Sequence, residues 1–222
     1  IDGLGVRELV SLAQSRLQFT DSVDDLILLV NRMLNEIDKA QANERTGILG
    51  SVLTHVLTAM AKVAIADAKC GAVLARRVAG LPSRNDIATH HVWLIEGELP
   101  VAIVESSDGA ARTIELPALA DWELLQEIIL NHAEEHEDYY DPKELRQRMS
   151  KAVGPLRNVV AEFESPFTVH AFGRLKHLPL AALTGKGSIL AKHPTCKILS
   201  HGGKGQAGRA DRSGRFAIVD CE

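Results

Sequence analysis

Two pairs of residues in this chain have the types and spacing to do chemistry. The first is His201 and Cys221. Lys197-Ile198-Leu199-Ser200 reads as a strand running into His201-Gly202-Gly203, and Phe216-Ala217-Ile218-Val219 as a strand running into Asp220-Cys221. A cysteine attacks a carbonyl as the thiolate, and a neighbouring imidazole takes or shares its proton. Strand-end His and Cys on adjacent parallel strands would meet that need, but such strands require a crossover of a dozen or more residues, usually helical. Gly202 to Gly214 contains five glycines, at 202, 203, 205, 208 and 214, and almost nothing apolar, so it cannot form a packed helix. The favoured reading is therefore a mobile glycine-rich loop with an incidental His, the dyad being kept as the alternative.

The second pair is His132 and His136, in His132-Ala133-Glu134-Glu135-His136. The H-x-x-E-H order is that of inverted zinc peptidases, in which two histidines on one helix share a zinc and a Glu serves as base. The run continues into Glu137-Asp138-Tyr139-Tyr140-Asp141, a solvated acidic helix end. No third ligand is evident, so no zinc and no other cofactor is expected. His90 and His91 are expected to cap a turn ahead of a strand. Trp93 and Trp122 are read as core or edge anchors. Cys70 is read as a small buried hydrophobe. Gly202-Gly203-Lys204-Gly205 lacks the strand-to-helix context of a phosphate loop.

The elements that would position these residues fall into two parts. Residues 1–82 are helical in pattern, with Leu9, Leu12, Ala13 and Leu17 at spacings of three and four. Val23 to Ala42 is a second helix, with Asp21 and Ser22 as caps. Ile48 to Val78 reads as one long helix, apolar over so much of its surface that it must pack on more than one neighbour. From His90 the period changes to two. Val92–Ile95, Val101–Val104 and Thr113–Leu116 are expected strands, joined by turns at Gly97-Glu98 and Ser107-Asp108-Gly109. Helices are expected from Asp121 to His136, from Pro142 to Ala152 and from Pro155, then strands at Phe167–Phe172, Cys196–Ser200 and Phe216–Val219. This alternation predicts an α/β fold with a mixed or parallel sheet covered by helices. No fixed repeat period is found in the helical part.

Composition narrows the function classes. The chain has 222 residues, a net charge of −4 and 45% hydrophobic residues, ordinary for a globular protein. The net charge argues against a nucleic-acid partner, the locally basic tail from Lys186 to Arg215 being read from its glycines as a solvated loop, and no apolar run approaches the ~20 residues of a membrane helix. The cysteines, Cys70, Cys196 and Cys221, are too few and too far apart for a disulfide framework. A reducing, cytoplasmic setting follows as the expectation. Both ends are expected to be cut from something larger.

One string carries a family resemblance. Gly173-Arg174-Leu175-Lys176-His177-Leu178-Pro179-Leu180-Ala181-Ala182-Leu183, entered from the strand Val169–Phe172, resembles the opening of a CHAT domain, the caspase-like peptidase domain often found beside helical repeats. The order of elements agrees: a long helix, the hairpin Val92–Leu116, the step Met149 to Leu156, the string itself, then Ile189–Lys192 and Lys197–Ser200. The resemblance spans roughly residues 90–222. It implies a partial caspase-like three-layer sheet with an opening hairpin, set behind an N-terminal helical segment. It implies a cysteine endopeptidase whose partners are proteins or peptides. In the family the catalytic His and Cys come well after the Leu-Pro step. Only 39 residues follow Leu183, so that dyad is expected beyond Glu222, with His201 and Cys221 as the in-chain alternative. A non-catalytic scaffold of the same fold is the second reading and a zinc hydrolase on His132 and His136 the third. The apolar run Phe216–Val219 is expected to leave an unfinished sheet that recruits a partner or self-associates.

Overall fold

The alternating apolar residues of the second segment do form a sheet. In the computed structural model of the chain, the residues described are 6–19, 22–39, 45–81, 90–121, 125–126, 147, 151–152, 154–158, 167–178 and 197–201. Four helices come first: α1 (Val6–Phe19), α2 (Val23–Lys39), α3 (Arg45–Ala66) and α4 (Ala68–Val78). Five strands follow: β1 (His90–Ile95), β2 (Val101–Glu105), β3 (Ala111–Glu115), β4 (Phe167–Phe172) and β5 (Lys197–His201). They form one mixed sheet in the order β3-β2-β1-β4-β5. The β1–β2 and β2–β3 pairs are antiparallel, whereas β1–β4 and β4–β5 are parallel. The chain is therefore of the α/β class, with helices and a mixed sheet.

The expected helix Ile48–Val78 is in fact two. Asp67 leaves helical geometry at φ −147°, ψ 99°, and its carboxylate accepts from the backbone N–H groups of Lys69 and Cys70. It is an N-cap placed inside a run of good helix formers. The break lets α4 turn back onto α3 at close range. A Cβ on Gly71 would stand 2.7 Å from the Ala64 Cβ and 3.0 Å from the Ile103 Cδ1. Glycine is thus what permits the contact between α3, α4 and β2. The expectation that this apolar region packs on several neighbours holds, since α3 touches α1, α2, α4 and the first three strands.

Two apolar layers sandwich the sheet. On one face Trp93, Ile95, Val101, Ile103 and Phe172 join a core built from all four helices. On the other Val92, Leu94, Ala102, Phe167, Val169 and Ala171 pack with Leu116, Leu119, Leu125, Ala152, Leu156, Leu175 and Leu178. Every residue of β2 and β4 is buried, as expected of strands covered on both sides. The core is shared between residues 1–82 and the sheet, because helix and strand side chains belong to one cluster.

The hairpin turns are where the glycines predict them. Between β2 and β3, Gly109 has φ +86°. The Asp108 carboxylate accepts from the Ala110 N–H at 2.9 Å, an Asx-type closure. The third strand begins two residues earlier than expected and ends at Glu115, not Leu116. The fifth extends through His201 instead of stopping at Ser200. The expected strand Phe216–Val219, the loop Gly202–Gly214, the pair His132 and His136, Trp122 and Cys221 lie outside the described residues. No described helix is long and apolar enough to cross a membrane.

Candidate functional site

The polar chemistry of the described residues gathers on the helix-facing side of the sheet. Strand periodicity brings it there. On β1 the residues alternating with Val92 and Leu94 are His91 and Trp93, and on β4 the residue between Val169 and Ala171 is His170. The parallel register sets Trp93 against His170, and the antiparallel register sets His91 against Glu105. Side chains distant in sequence thereby meet. His91 Nδ1 lies 2.9 Å from His170 Nε2. The Trp93 ring stacks on that of His170 with centroids 4.0 Å apart, and on that of His91 at 5.4 Å. Phe172 continues the ladder, 6.4 Å from Trp93.

Charge enters from α4 and β2. Arg76 Nη2 donates to Glu105 Oε2 at 2.8 Å, and Trp93 Nε1 donates to the same oxygen at 3.1 Å. The Arg76 guanidinium carbon stands 5.4 Å from the Trp93 ring centroid, within cation–π range. Both charged residues are buried, at 7% and 6% exposure, so the ion pair stands where removing either partner is costly. Arg76 Nε is buried and has no hydrogen-bond partner among the described residues.

Burial pushes the His91 imidazole below its ordinary pKa of 6.5, and the Arg76 cation pushes it the same way, against a smaller opposing pull from Glu105. His91 is half-buried, whereas His170 is 1% exposed. A neutral pair fits this site, one ring donating and the other accepting. The pair can hold or pass a proton. The hydroxyl residue Thr168 lies opposite His91 in the parallel register, on the same face of the sheet.

A second cluster forms where β1 and β4 end. Glu96, the residue after β1, accepts from the backbone N–H of Arg174 at 2.6 Å and from its guanidinium Nε. Gly173 has φ +62°, and a Cβ there would overlap the Glu96 carboxylate and approach the Leu57 Cδ1 to 3.0 Å. Glycine is demanded twice, by the left-handed backbone and by the carboxylate folded over it. The 3₁₀ turn Gly173–His177 then buries Leu175 and leads into Leu178. The ends of parallel strands are where open α/β sheets place their ligand sites.

Of the sequence-predicted site residues, His201 is the one described. It is the last residue of β5, opposite Phe172 in register, at the same end of the sheet as Glu96 and Gly173. Its proposed partner Cys221, like His132 and His136, is outside the described residues. Among the described residues, no group of three or more His, Cys, Asp or Glu could hold a metal ion. His90 and His91 lie inside β1 and not ahead of it, because the pairing with Phe167 and Thr168 extends the strand back to them. Cys70 is half-buried, not a core hydrophobe. The Asp67 carboxylate beside it raises its thiol pKa, so it stays protonated at neutral pH and is a poor nucleophile.

Sequence reasoning missed Arg76, Glu105, His91 and His170 as a unit. Faint signals existed: a charge closing the apolar strand Val101–Glu105, and a His inside a strand buried on both faces. Comparison with family models, curated proteins and solved structures finds no match to this chain.

Proposed function

We propose that the chain carries the opening portion of a CHAT-type, caspase-like cysteine endopeptidase domain, with the catalytic His and Cys supplied by sequence after Glu222. The observation that supports this most is the end of β4. There a parallel strand meets a glycine with φ +62°, makes a 3₁₀ turn that buries Leu175, and ends at the buried Leu178. The first part of the string that carries the family resemblance, Gly173–Leu178, thus has a physical rationale. The parallel β1–β4–β5 set, with β1 and β4 covered on both faces, supports a caspase-like layering. A further strand would add beside β5, and protein or peptide substrates would approach the strand ends near Glu96 and His201. A reducing, cytoplasmic setting suits such a thiol enzyme.

The test uses a thiol-reactive peptide probe and a protein substrate, applied to this chain and to a version extended along its natural reading frame. The short chain is expected to show neither labelling nor cleavage. The extended one should be labelled at a strand-end Cys in a manner that depends on a strand-end His. Labelling of Cys221 in the short chain, abolished by His201→Ala, would replace this reading with the in-chain dyad. A non-catalytic scaffold of the same fold is favoured by one observation. Leu28 on α2 and Val73 on α4 are 67% and 62% exposed, on helices bridged by Arg77 to Asn31 and Asn35. An extended chain that binds protein partners without ever being labelled would establish that second reading.

A further inference from the structure

We infer that the His91–His170 pair is a proton-sensitive latch that holds α4 against the sheet. The two ring nitrogens face each other at 2.9 Å, a contact that exists only while one of them lacks a proton. A proton added to the accepting ring would turn two N–H groups toward each other and leave no bond between them. From α4 the facing group is the Arg76 cation, and from β1 it is His90. The sole facing anion among the described residues is Glu105 on β2, already engaged by Arg76 and by Trp93 Nε1.

Release would be felt at α4 because the contacts are in series. The His rings stack on Trp93, Trp93 shares the Glu105 oxygen with Arg76, and Arg76 belongs to α4. Losing the ring–ring bond frees the stack that sets this oxygen in place. The Arg76 side chain is then held by fewer fixed partners, and Glu105 is drawn toward the new cation. The helix carries its own weak point. It begins at the exposed Asp67 cap, so it can move without unwinding α3. The direction of the pH effect follows from burial. The neutral form of His91 is favoured in the folded state, so the latch is fully closed above the ordinary histidine value of 6.5 and is lost as pH falls through the lower folded value.

Amide hydrogen exchange tests this on the full chain between pH 7.5 and 5, corrected for intrinsic exchange rates. Opening of α4 should increase by up to about tenfold per pH unit for one proton gained on opening, while α2 changes far less. His91→Gln keeps an amide able to bond His170 but cannot titrate, and it should remove most of the α4 response. Equal pH responses in α4 and α2, or an unchanged response in His91→Gln, would overturn the latch. Should that variant fold poorly, imidazole titration of the native chain by NMR decides. Protonation of His91 below 6.5 that also shifts the His170 ring signals supports the latch, and titration of His91 at its ordinary value with no effect on His170 refutes it.

Discussion

The two faces of the sheet are built from the same strands and differ in kind. Toward Leu116, Leu125 and Leu156 the strands offer apolar side chains, Val92, Leu94, Ala102, Phe167, Val169 and Ala171. Toward α3 and α4 they offer apolar side chains interrupted by His91, Glu105, Thr168 and His170, with Arg76 brought in from above. The first face needs only shape and volume. The second needs its buried charges paired, because an unmatched charge in that layer is expensive. A sheet that could have been apolar on both sides therefore spends its specificity on one. The polar face fixes how α4 lies across the strands, and the apolar face contributes burial that is indifferent to pH.

The sharpest way to break this contrast is Glu105→Ala. It leaves Arg76 buried without its anion and should cost about 3–5 kcal/mol in urea unfolding. A loss under about 1 kcal/mol would show that the pair is not what orders this face. Replacing both partners, Arg76→Met with Glu105→Leu, should cost less than Glu105→Ala alone, since no charge is then stranded. On the other face Leu94→Ala should cost about 3 kcal/mol, with the same loss at pH 7.5 and pH 5.5. A loss that changed with pH would mean the two faces are coupled. At the edge where the faces meet, Gly173→Ala should cost about 2 kcal/mol, from the left-handed backbone and the displaced Glu96 carboxylate. Thermal unfolding of Gly173→Ala unchanged from the native chain would contradict that. The smallest effect is expected at the cap that starts α4. Asp67→Ala should cost about 1 kcal/mol. The N–H groups of Cys70 and Lys69 hold this carboxyl below its ordinary value of 3.8. Its contribution is therefore present above 3.8 and lost as pH falls through the folded value. The gap between native and Asp67→Ala chains should close in strong acid, and a constant gap would rule the cap out.

Much of the sheet was legible because its signals are local. Val101–Glu105 and Phe167–Phe172 are short apolar runs between turn residues, and Gly109 sits where the hairpin needs a positive φ. The split between α3 and α4 was not legible, because Ala66 and Ala68 favour helix on either side of Asp67 and only the packing of α4 back on α3 makes the Asp a cap. The site was harder still. His91 and His170 are 79 residues apart and Arg76 and Glu105 are 29 apart. The first pair does not exist until β4 has chosen β1 as its parallel neighbour, and the second does not exist until α4 lies against β2. A one-residue slip in that register would send His170 to the apolar face. His201 was read as the residue after a strand, and its position opposite Phe172 shows how pairing lengthens a strand beyond its apolar run.

The core shared by the four helices and the sheet has a consequence for how the chain could be divided. Nineteen of its buried residues come from the helices, and Trp93, Ile95, Val101, Ile103 and Phe172 come from the strands. A helical half ending at Leu81 would carry a bare apolar surface shaped to those five side chains. A second half starting at His90 would carry its complement, together with a Glu105 that has lost its Arg76. Two such polypeptides, produced separately and mixed, should assemble into one folded body, as the halves of a split protein do.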